Sequence, residues 1–465
     1  MSAETTTAAG PAHGAAADVV AVLMVAEWPL ARQLGEWVAG MASFALPGRL
    51  ASKASDHLLD TLGAMIAGID EAPARAAAEV FRRPGPVPQG GVFGLWHNRA
   101  TSDRLDAAVV NGVAAHCLEI DDTEGCDHSG AVVVPVLLSL LPEVRGEQGA
   151  SRILPALVAG YEVGRRVQLA LGGYDRHNAR GWHSTATCGV FAATAAASVM
   201  LGLEGEQTAS ALGLAASSSS GGWAFSADGA MSKQLHPGQA ARAGLEAALL
   251  AQAGVRGPWR VFDPVWGGFF VTHGDGSAEV DPEALVRDLG STWHFLHSAI
   301  KPYAACRSAH TALDAFRDIL AEQQLCPDDV RAVRVHVGEF LRPMICPPAP
   351  GDAAQARMSL PHALALLLEG KRLVPEDFVF FDAPEVRARL ELLEVVPDPV
   401  EGREPLVEVV TKAGTFAARV EHARGGERFP LSPAEVEAKF RGLTEGRLER
   451  AHQDEWIAWA RSFFS

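Results

Sequence analysis

Residues 186–202 read ATCGVFAATAAASVMLG, seventeen consecutive residues that are small or apolar and carry no charge. A helix that is apolar all round has no face suited to water, so it is buried on every side. This stretch therefore predicts a central helix that packs closely against several neighbours.

Apolar residues at helical spacing recur on both sides of this run. They predict further helices at Leu58–Ile69, Leu105–Leu118, Ala131–Leu141 and Pro237–Ala253. Pro237 is expected in the first turn of the last helix, where its missing N–H costs least. The pattern is mostly helical from about residue 27 to residue 276.

The pattern changes after about residue 277. Alternation of apolar and polar residues predicts a strand at Val330–Val337 and a hairpin that joins 406–410 to 416–420. Helical stretches lie near 311–323 and 361–368, and a helix begins after residue 432, where Ser432 and Glu435 form a capping pattern.

These elements predict a mainly α protein with an α+β second domain. We expect a large helical domain formed by residues 25–280 and 428–465, and a smaller α+β lid domain formed by residues 281–427. Residues 1–24 are expected to be disordered because they are rich in Ala, Thr and Gly.

Composition excludes several classes of protein. The 465 residues are 48% hydrophobic and 21% charged, as in a folded enzyme, and the net charge of −16 argues against nucleic-acid binding. Six scattered cysteines form no C-x-x-C motif, which argues against zinc ribbons and iron–sulfur sites and suits a reducing cytoplasm. The apolar patch at Val19–Val25 is too short for a bilayer, so we expect no signal peptide and no membrane contact.

Chemistry concentrates at residues 116–130, which read HCLEIDDTEGCDHSG. Five carboxylates and two imidazoles fall within thirteen residues, between two predicted helices. One interpretation is an acid–base site. Others are ordinary turn and cap residues at Asp121 and Asp122, or a metal site at His116, Asp122 and His128, although that spacing fits no common metal motif.

Four further loops bring basic residues to the start of a predicted helix, where the positive end of the helix dipole also favours anions. They contain His183, then Lys233 with His236, then Lys301, Tyr303 and Arg307, and finally His362. Each residue alone is more simply a cap, a core hydrogen-bonding group or a solvated charge. Together, in an acidic protein, they predict a pocket for a polycarboxylate or a phosphate.

In this order, the clusters resemble the MmgE/PrpD family, which includes 2-methylcitrate dehydratase, cis-aconitate decarboxylase and iminodisuccinate epimerase. The resemblance covers nearly the whole chain after the first few tens of residues. Its motifs are Leu59–Gly63, Asn111-Gly112 with His116, Asp121–Thr123 with His128–Gly130, Gly160–Glu162, Gly181–His183, Met231–Lys233 with His236–Gly238, Lys301–Tyr303 with Cys306-Arg307, and Leu431-Ser432 with Lys439-Phe440.

The resemblance implies a homodimer that needs neither metal nor other cofactor and has its site between the two domains. By position, it implies catalytic or substrate-binding roles for a set of matching residues. Those implied or inferred to be catalytic are Glu119, Asp122, His128, His183 and Lys301. Those expected to bind substrate are Thr123, Lys233, His236, Tyr303, Arg307 and His362.

Three departures from the family pattern stand out. The acid before the double Asp is Glu119 where relatives commonly have Asp, and His362 stands where Tyr is usual. The loop between Thr123 and His128 is also one residue shorter than in the decarboxylase branch. These changes bear on the choice of substrate.

The reactions of this family all develop negative charge next to a carboxylate, so they need fixed cations and a proton-transfer group. We expect His128 and His183 to transfer protons, with Glu119 or Asp122 orienting one imidazole. The first hypothesis is a cofactor-independent dehydratase of a 2-hydroxy di- or tricarboxylate such as 2-methylcitrate or an alkylcitrate. The alternatives are a decarboxylase of a cis-aconitate-like acid, an epimerase of a dicarboxylate, or a non-catalytic carboxylate-binding protein.

Overall fold

A computed structural model describes residues 28–81, 103–141, 147–346, 350–400 and 404–463. The expected disordered segment at residues 1–24 lies outside these ranges. The helices before residue 280 are α1 (Leu30–Met41), α2 (Gly48–Gly68), α3 (Ala72–Val80), α4 (Arg104–His116), α5 (Ser129–Leu140), α6 (Glu147–Ala150), α7 (Ile153–Ala170), α8 (Tyr174–Ala179), α9 (Ser184–Thr187), α10 (Gly189–Leu201), α11 (Gly205–Ala215), α12 (Phe225–Asp228), α13 (Ser232–Gln252) and α14 (Phe269–His273).

The later part of the chain mixes helices with strands. Its helices are α15 (His310–Glu322), α16 (Arg342–Ile345), α17 (Ala353–Arg357), α18 (Leu360–Leu368), α19 (Pro384–Leu390), α20 (Pro433–Thr444) and α21 (Arg450–Ser462). Its strands are β1 (Val330–Val337), β2 (Leu393–Pro397), β3 (Leu406–Thr411) and β4 (Thr415–Ala418). The prediction of a mainly α protein with a second, α+β part is confirmed.

The predicted central helix forms as α10, preceded by the short helix α9. All residues of α10 before Leu201 are buried, and α5, α7, α11 and α13 pack around it. A methyl group on Gly244 would come within 2.4 Å of the Ala193 Cβ, which shows how closely α13 approaches. Residues 184–201 are apolar and long enough to cross a membrane, but 94% of them are buried inside the protein. Their apolar character therefore reflects a core position.

Helix α13 begins earlier than predicted, and this matters for the site. The expected start was Pro237, but the helix begins at Ser232 and contains the proline in its interior. Lys233 and His236 therefore lie in the first turns of α13 rather than in a loop. Residues three apart share one face of a helix, so both side chains point toward the same region.

The four strands form one sheet in the order β2-β1-β3-β4. The β3–β4 hairpin was predicted, and the Thr411 N–H donates to the Gly414 carbonyl at 2.8 Å to close its turn. Strand β2 was not predicted. It lies sixty residues after β1 in the chain and pairs with it in parallel. None of its residues is fully buried, so no alternation of apolar residues marks its inner face.

The last two helices pack against α2 in the first part of the chain. The predicted capping box at the start of α20 is present, with Ser432 Oγ accepting from the Glu435 N–H at 3.3 Å. Lys439 of α20 pairs with the buried Asp60 of α2 at 2.5 Å and donates to the Ile120 carbonyl at 2.7 Å. The C-terminal helices thus support the loop next to Glu119. The division of the chain into domains at residues 25–280, 281–427 and 428–465 stays a prediction.

Candidate active site

The loop between α4 and α5 holds an unusual backbone. Glu119, Glu124 and Asp127 have φ angles of +54°, +63° and +111°. Such angles are uncommon for residues other than glycine and persist where the surrounding structure enforces them, often at functional sites. Thr123 and Ala299 exchange two backbone hydrogen bonds of 2.8 Å each, which anchor the loop.

Glu119 is the centre of a buried cluster of charges. Its Oε2 lies 2.5 Å from Lys233 Nζ, and its Oε1 lies 3.0 Å from Lys301 Nζ, which also donates to the Glu119 carbonyl at 3.0 Å. Burial would raise the pKa of Glu119, but the two lysines outweigh it and hold that pKa well below the usual range. Glu119 is therefore a carboxylate at neutral pH and fixes both ammonium groups.

His128 is the imidazole whose pKa these surroundings raise. Its Nδ1 lies 3.0 Å from Asp121 Oδ2, and its Nε2 lies 3.5 Å from Asp127 Oδ1 and 3.8 Å from Glu119 Oε1. Burial alone would lower the pKa of His128, but Asp127 and Asp121 raise it above its ordinary value. His128 lines the cavity, and because its Nδ1 contacts Asp121, Nε2 is the nitrogen available to donate a proton there.

His183 and His236 form an imidazole pair whose pKa values are lowered, in contrast to that of His128. Their Nδ1 atoms lie 2.8 Å apart, and His183 Nε2 lies 3.5 Å from Asp127 Oδ2. Burial lowers the pKa of each to about 4, so both are neutral at pH 7. In the Nδ1–Nδ1 contact one imidazole donates and the other accepts, whereas His183 Nε2 has no hydrogen-bond partner among the described residues and only lies near Asp127.

Asp122 was predicted as a catalytic or orienting acid, and the structure corrects this. Its carboxylate faces away from the cavity, accepting from His57 Nδ1 at 2.7 Å, from the Tyr161 hydroxyl and from the Gly130 N–H at 2.8 Å. Only its backbone carbonyl approaches His128, at 3.1 Å from Nδ1. The acid that orients His128 is the neighbouring Asp121, because adjacent residues in this loop point in opposite directions.

Asp122→Ala is expected to lower the thermal unfolding midpoint by several degrees, because three buried donors lose their acceptor at about 1–3 kcal/mol each. Asp382→Ala, which removes an exposed carboxylate paired with Arg387, should leave the midpoint nearly unchanged. Differential scanning calorimetry of both variants tests this. An Asp122→Ala protein that melts normally but loses its activity would return Asp122 to a catalytic role.

His116, Asp121 and His128 have ligand atoms that all lie within 4.8 Å of one another, a spacing that a metal ion could use. Asp122 is not part of this group, contrary to the metal alternative drawn from the sequence. Asp121 Oδ2 lies 2.9 Å from His116 Nδ1 and 3.0 Å from His128 Nδ1. Hydrogen bonds from the two ring N–H groups to one carboxylate account for this geometry, and burial lowers the pKa of His116 to about 4.

These groups border a cavity of about 480 Å³ between the helical part and the α+β part. Of the residues predicted to be catalytic or to bind substrate, Glu119, Thr123, His128, Lys233 and Arg307 line it. Three other predicted residues do not line the cavity but contact groups that do, or contact one another. His183 lies beside Asp127, Lys301 pairs with Glu119, and His236 contacts His183. Lys301 is fully buried, so it positions Glu119 rather than facing the cavity.

The cavity is not the cationic pocket that the sequence predicted. Its lining contains seven carboxylates against four lysine or arginine side chains. Several of these cations are already paired, Lys233 with Glu119 and Arg307 with Glu124, whose Oε1 accepts from Arg307 Nε at 2.7 Å. An anionic ligand would therefore compete with carboxylates of the protein for the same cations.

Tyr303 and His362 were predicted to bind substrate, but neither lines the cavity. The Tyr303 hydroxyl donates to Asp314 Oδ1 at 2.6 Å, and its ring packs beside His310. His362 Nδ1 lies 2.9 Å from the Oγ of Ser359, the N-cap of α18. Both are structural residues in these contacts, so the departure from the family pattern at His362 does not reach the cavity directly.

Sequence reasoning missed Asp127, which contacts His128, His183 and Thr185. Its carboxylate has a pKa well below the usual range because the nearby imidazoles and Lys233 outweigh the effect of burial. The available signal was its place directly before His128 in a cluster dense in carboxylates.

The fold and the cavity define a class: a large helical part, a small α+β part and a buried acid–base cluster between them. The MmgE/PrpD N-terminal domain model matches residues 32–281, and the MmgE/PrpD C-terminal domain model matches residues 303–463. The chain belongs to the MmgE/PrpD family.

Similar proteins are decarboxylases by name. The cis-aconitate decarboxylase of Homo sapiens is 30% identical over 418 residues, which cover 85% of this chain and 84% of that protein. Cis-aconitate decarboxylase-like protein oryM of Aspergillus oryzae is 31% identical over 65% of this chain and 64% of its own length. The cis-aconitate decarboxylase of Aspergillus terreus is 34% identical over 46% of this chain and 45% of its own length. The matches to these two fungal proteins thus span less than two thirds of their length.

Proposed function

We propose that this protein is a lyase that decarboxylates a cis-aconitate-like unsaturated tricarboxylate without a metal or organic cofactor. One observation carries the proposal. A single carboxylate, that of Glu119, lies 2.5 Å from the Lys233 ammonium and 3.8 Å from Nε2 of the protonated His128. A substrate carboxylate in that position would have a fixed cation for the charge that develops on it and a proton donor beside the neighbouring carbon. The names of the relatives support decarboxylation over the dehydration that the sequence first favoured.

In the proposed reaction, a substrate carboxylate first binds the Lys233 ammonium. Carbon dioxide leaves the saturated arm, the carbon–carbon bond breaks, and its electron pair spreads through the double bond onto a remaining carboxylate. Lys233 stabilises that growing charge. The His128 Nε2–H then gives its proton to the former double-bond carbon next to that carboxylate. This leaves a five-carbon unsaturated dicarboxylate and a neutral imidazole that solvent reprotonates.

Dehydration of a 2-hydroxy acid is the second candidate. It needs a base as well as an acid, and the neutral His183 and the protonated His128 both lie 3.5 Å from Asp127. However, His183 is fully buried and does not line the cavity, so it cannot reach a C–H bond there without a rearrangement. This is why decarboxylation is the first choice.

A substrate panel separates the candidates. The full chain is incubated with cis-aconitate, citrate, 2-methylcitrate and iminodisuccinate, each with and without a chelator. Carbon dioxide from cis-aconitate, unaffected by chelator, is the expected result. A new conjugated alkene from citrate or 2-methylcitrate would instead establish a dehydratase, deuterium exchange without net product an epimerase, and loss of turnover with chelator would refute a metal-free reaction.

The activity should fall with rising pH as His128 loses its proton. Because Asp127 is the anion that raises the pKa of His128 most, Asp127→Asn should move the basic limb of kcat/KM to lower pH. Glu385→Gln, an exposed carboxylate on α19, should leave the limb in place. A basic limb that does not move in Asp127→Asn would show that another group supplies the proton.

A further inference from the structure

Arg165 of α7 is a cation of the cavity lining that has no carboxylate partner in the described part of the chain. Four lysine or arginine side chains line the cavity. Two of them are paired, Lys233 with Glu119 and Arg307 with Glu124. Glu124 also acts on Arg165 electrostatically, but only from beyond ion-pair distance. The charge of Arg165 is therefore available to a ligand.

The guanidinium of Arg165 is held in place through one of its three nitrogens. Its Nη1 donates to Gln168 Oε1 and lies 3.5 Å from the Gly125 carbonyl oxygen. Its Nε is buried and has no hydrogen-bond partner, and Nη2 donates to no group among the residues that the structure describes. Buried polar groups are usually hydrogen-bonded, so these donors call for an acceptor that the described protein groups do not supply.

The surroundings of Arg165 favour a stronger interaction with an anion than those of Arg428, the other cation of the lining that forms no ion pair with a described residue. Arg428 is exposed, so water screens its charge, whereas Arg165 is partly buried. Burial lowers the pKa of Arg165, because an enclosed guanidinium has lost part of its hydration. A bound carboxylate would supply the opposite charge and two oxygens that match the guanidinium N–H groups.

Arg165 and Lys233 can hold one ligand between them. Both line the same cavity of about 480 Å³, a volume typical of small-molecule sites. Asp127 also lines this cavity and interacts electrostatically with each of the two cations. A small polycarboxylate bound by Lys233 through one carboxylate can therefore offer another to Arg165.

We propose that Arg165 binds a second carboxylate of the substrate, one that Lys233 does not hold, and so makes the cavity selective for polycarboxylates. The inference rests on the proposed function only in taking the ligand to be a polycarboxylate held at Lys233. Arg165 acts in binding and not in proton transfer, because a guanidinium keeps its proton.

The test is a double-mutant cycle between the protein and ligands that cannot react. Binding of propane-1,2,3-tricarboxylate, its terminal monoamide and its central monoamide to the full chain is measured by calorimetry. Arg165→Gln should weaken binding of the tricarboxylate by about 10–100-fold, the usual range for a charge-assisted hydrogen bond. For at least one monoamide, the loss of affinity seen with the wild type should largely disappear in Arg165→Gln, because the lost carboxylate and the lost cation are partners.

The result that overturns the proposal is additivity. If Arg165→Gln weakened all three ligands by the same factor, Arg165 would shape the site without contacting a carboxylate. An unchanged affinity for the tricarboxylate would refute the contact outright. Arg165→Met replaces Arg165→Gln if that variant does not fold, and the same coupling is expected of it.

Two further arginine variants locate the effect. Arg331→Gln changes an exposed residue of β1 outside the cavity and should leave all three affinities at their wild-type values. Arg428→Gln removes the exposed cation of the lining and should show little coupling to either amide. Coupling to Arg428 in place of Arg165 would assign the second carboxylate to Arg428 and overturn the proposal.

Turnover provides a second measurement and separates this inference from the proposed function. With cis-aconitate, Arg165→Gln should raise KM by a factor similar to the loss of affinity and keep kcat within about threefold, as loss of uniform binding does. Coupling to Arg165 without release of carbon dioxide from any panel substrate would refute the reaction but keep the subsite. Release of carbon dioxide without such coupling would refute the subsite but keep the reaction.

Discussion

His128→Gln is expected to lower kcat for release of carbon dioxide by about 10²–10⁴-fold, the usual contribution of a positioned general acid. The variant keeps a polar side chain but cannot donate the proton that Asp121 and Asp127 hold on the imidazole. KM should change much less, because Lys233 still faces the cavity. Steady-state kinetics with cis-aconitate measure both constants.

The matched control is His336→Gln, which replaces a histidine of β1 that pairs with Glu408 outside the cavity. It should keep the wild-type kcat. If His128→Gln kept more than about a tenth of the wild-type kcat, the proton would have to come from another group, and the assignment of His128 would be wrong.

Lys233→Met should have the next largest effect, about 10²–10³-fold in kcat/KM, because it removes the cation proposed to stabilise the developing charge. It should also lower the free energy of unfolding by about 3–5 kcal/mol, since Glu119 loses one of its two buried partners. Lys412→Met, an exposed lysine in the β3–β4 turn, is the control and should change neither quantity.

A double variant separates the two roles of Lys233. Adding Glu119→Gln to Lys233→Met removes the carboxylate that Lys233 pairs with, but it also leaves the buried Lys301 ammonium without that partner, so it should not restore the stability. Activity should stay low if Lys233 acts on the substrate. Recovery of activity in the double variant would mean that the lysine serves only to neutralise Glu119.

Much of the fold followed from local patterns in the sequence. The apolar run of α10, the alternation of β1 and the capping box of α20 each depend on residues close together in the chain. Strand β2 escaped because its pairing with β1 is long-range and its side chains are only partly buried.

The sequence predicted some of the residues that line the cavity, but it missed Asp127 and did not reveal the directions in which the side chains point. Lys233 and His236 were recognisable because basic residues gather near the start of a predicted helix, although they lie within the first turns of α13 rather than in a loop. The sequence could not show that Asp121, and not Asp122, orients His128. The loop between α4 and α5 has left-handed backbone angles at Glu119 and Asp127, and no sequence periodicity reveals them. The predicted substrate contact of Tyr303 has a different difficulty: its hydroxyl donates to Asp314, eleven residues further along the chain.

The central claim is that this cavity releases carbon dioxide from a cis-aconitate-like acid and that an enzyme group then protonates the product carbon. The most direct measurement is a nuclear magnetic resonance time course of cis-aconitate with the full chain in deuterated water. We expect one carbon dioxide and one deuterium incorporated per five-carbon dicarboxylate formed, with both reduced in parallel in His128→Gln. Formation of a hydrated tricarboxylate, or deuterium exchange into unchanged substrate with no carbon dioxide released, would contradict the account.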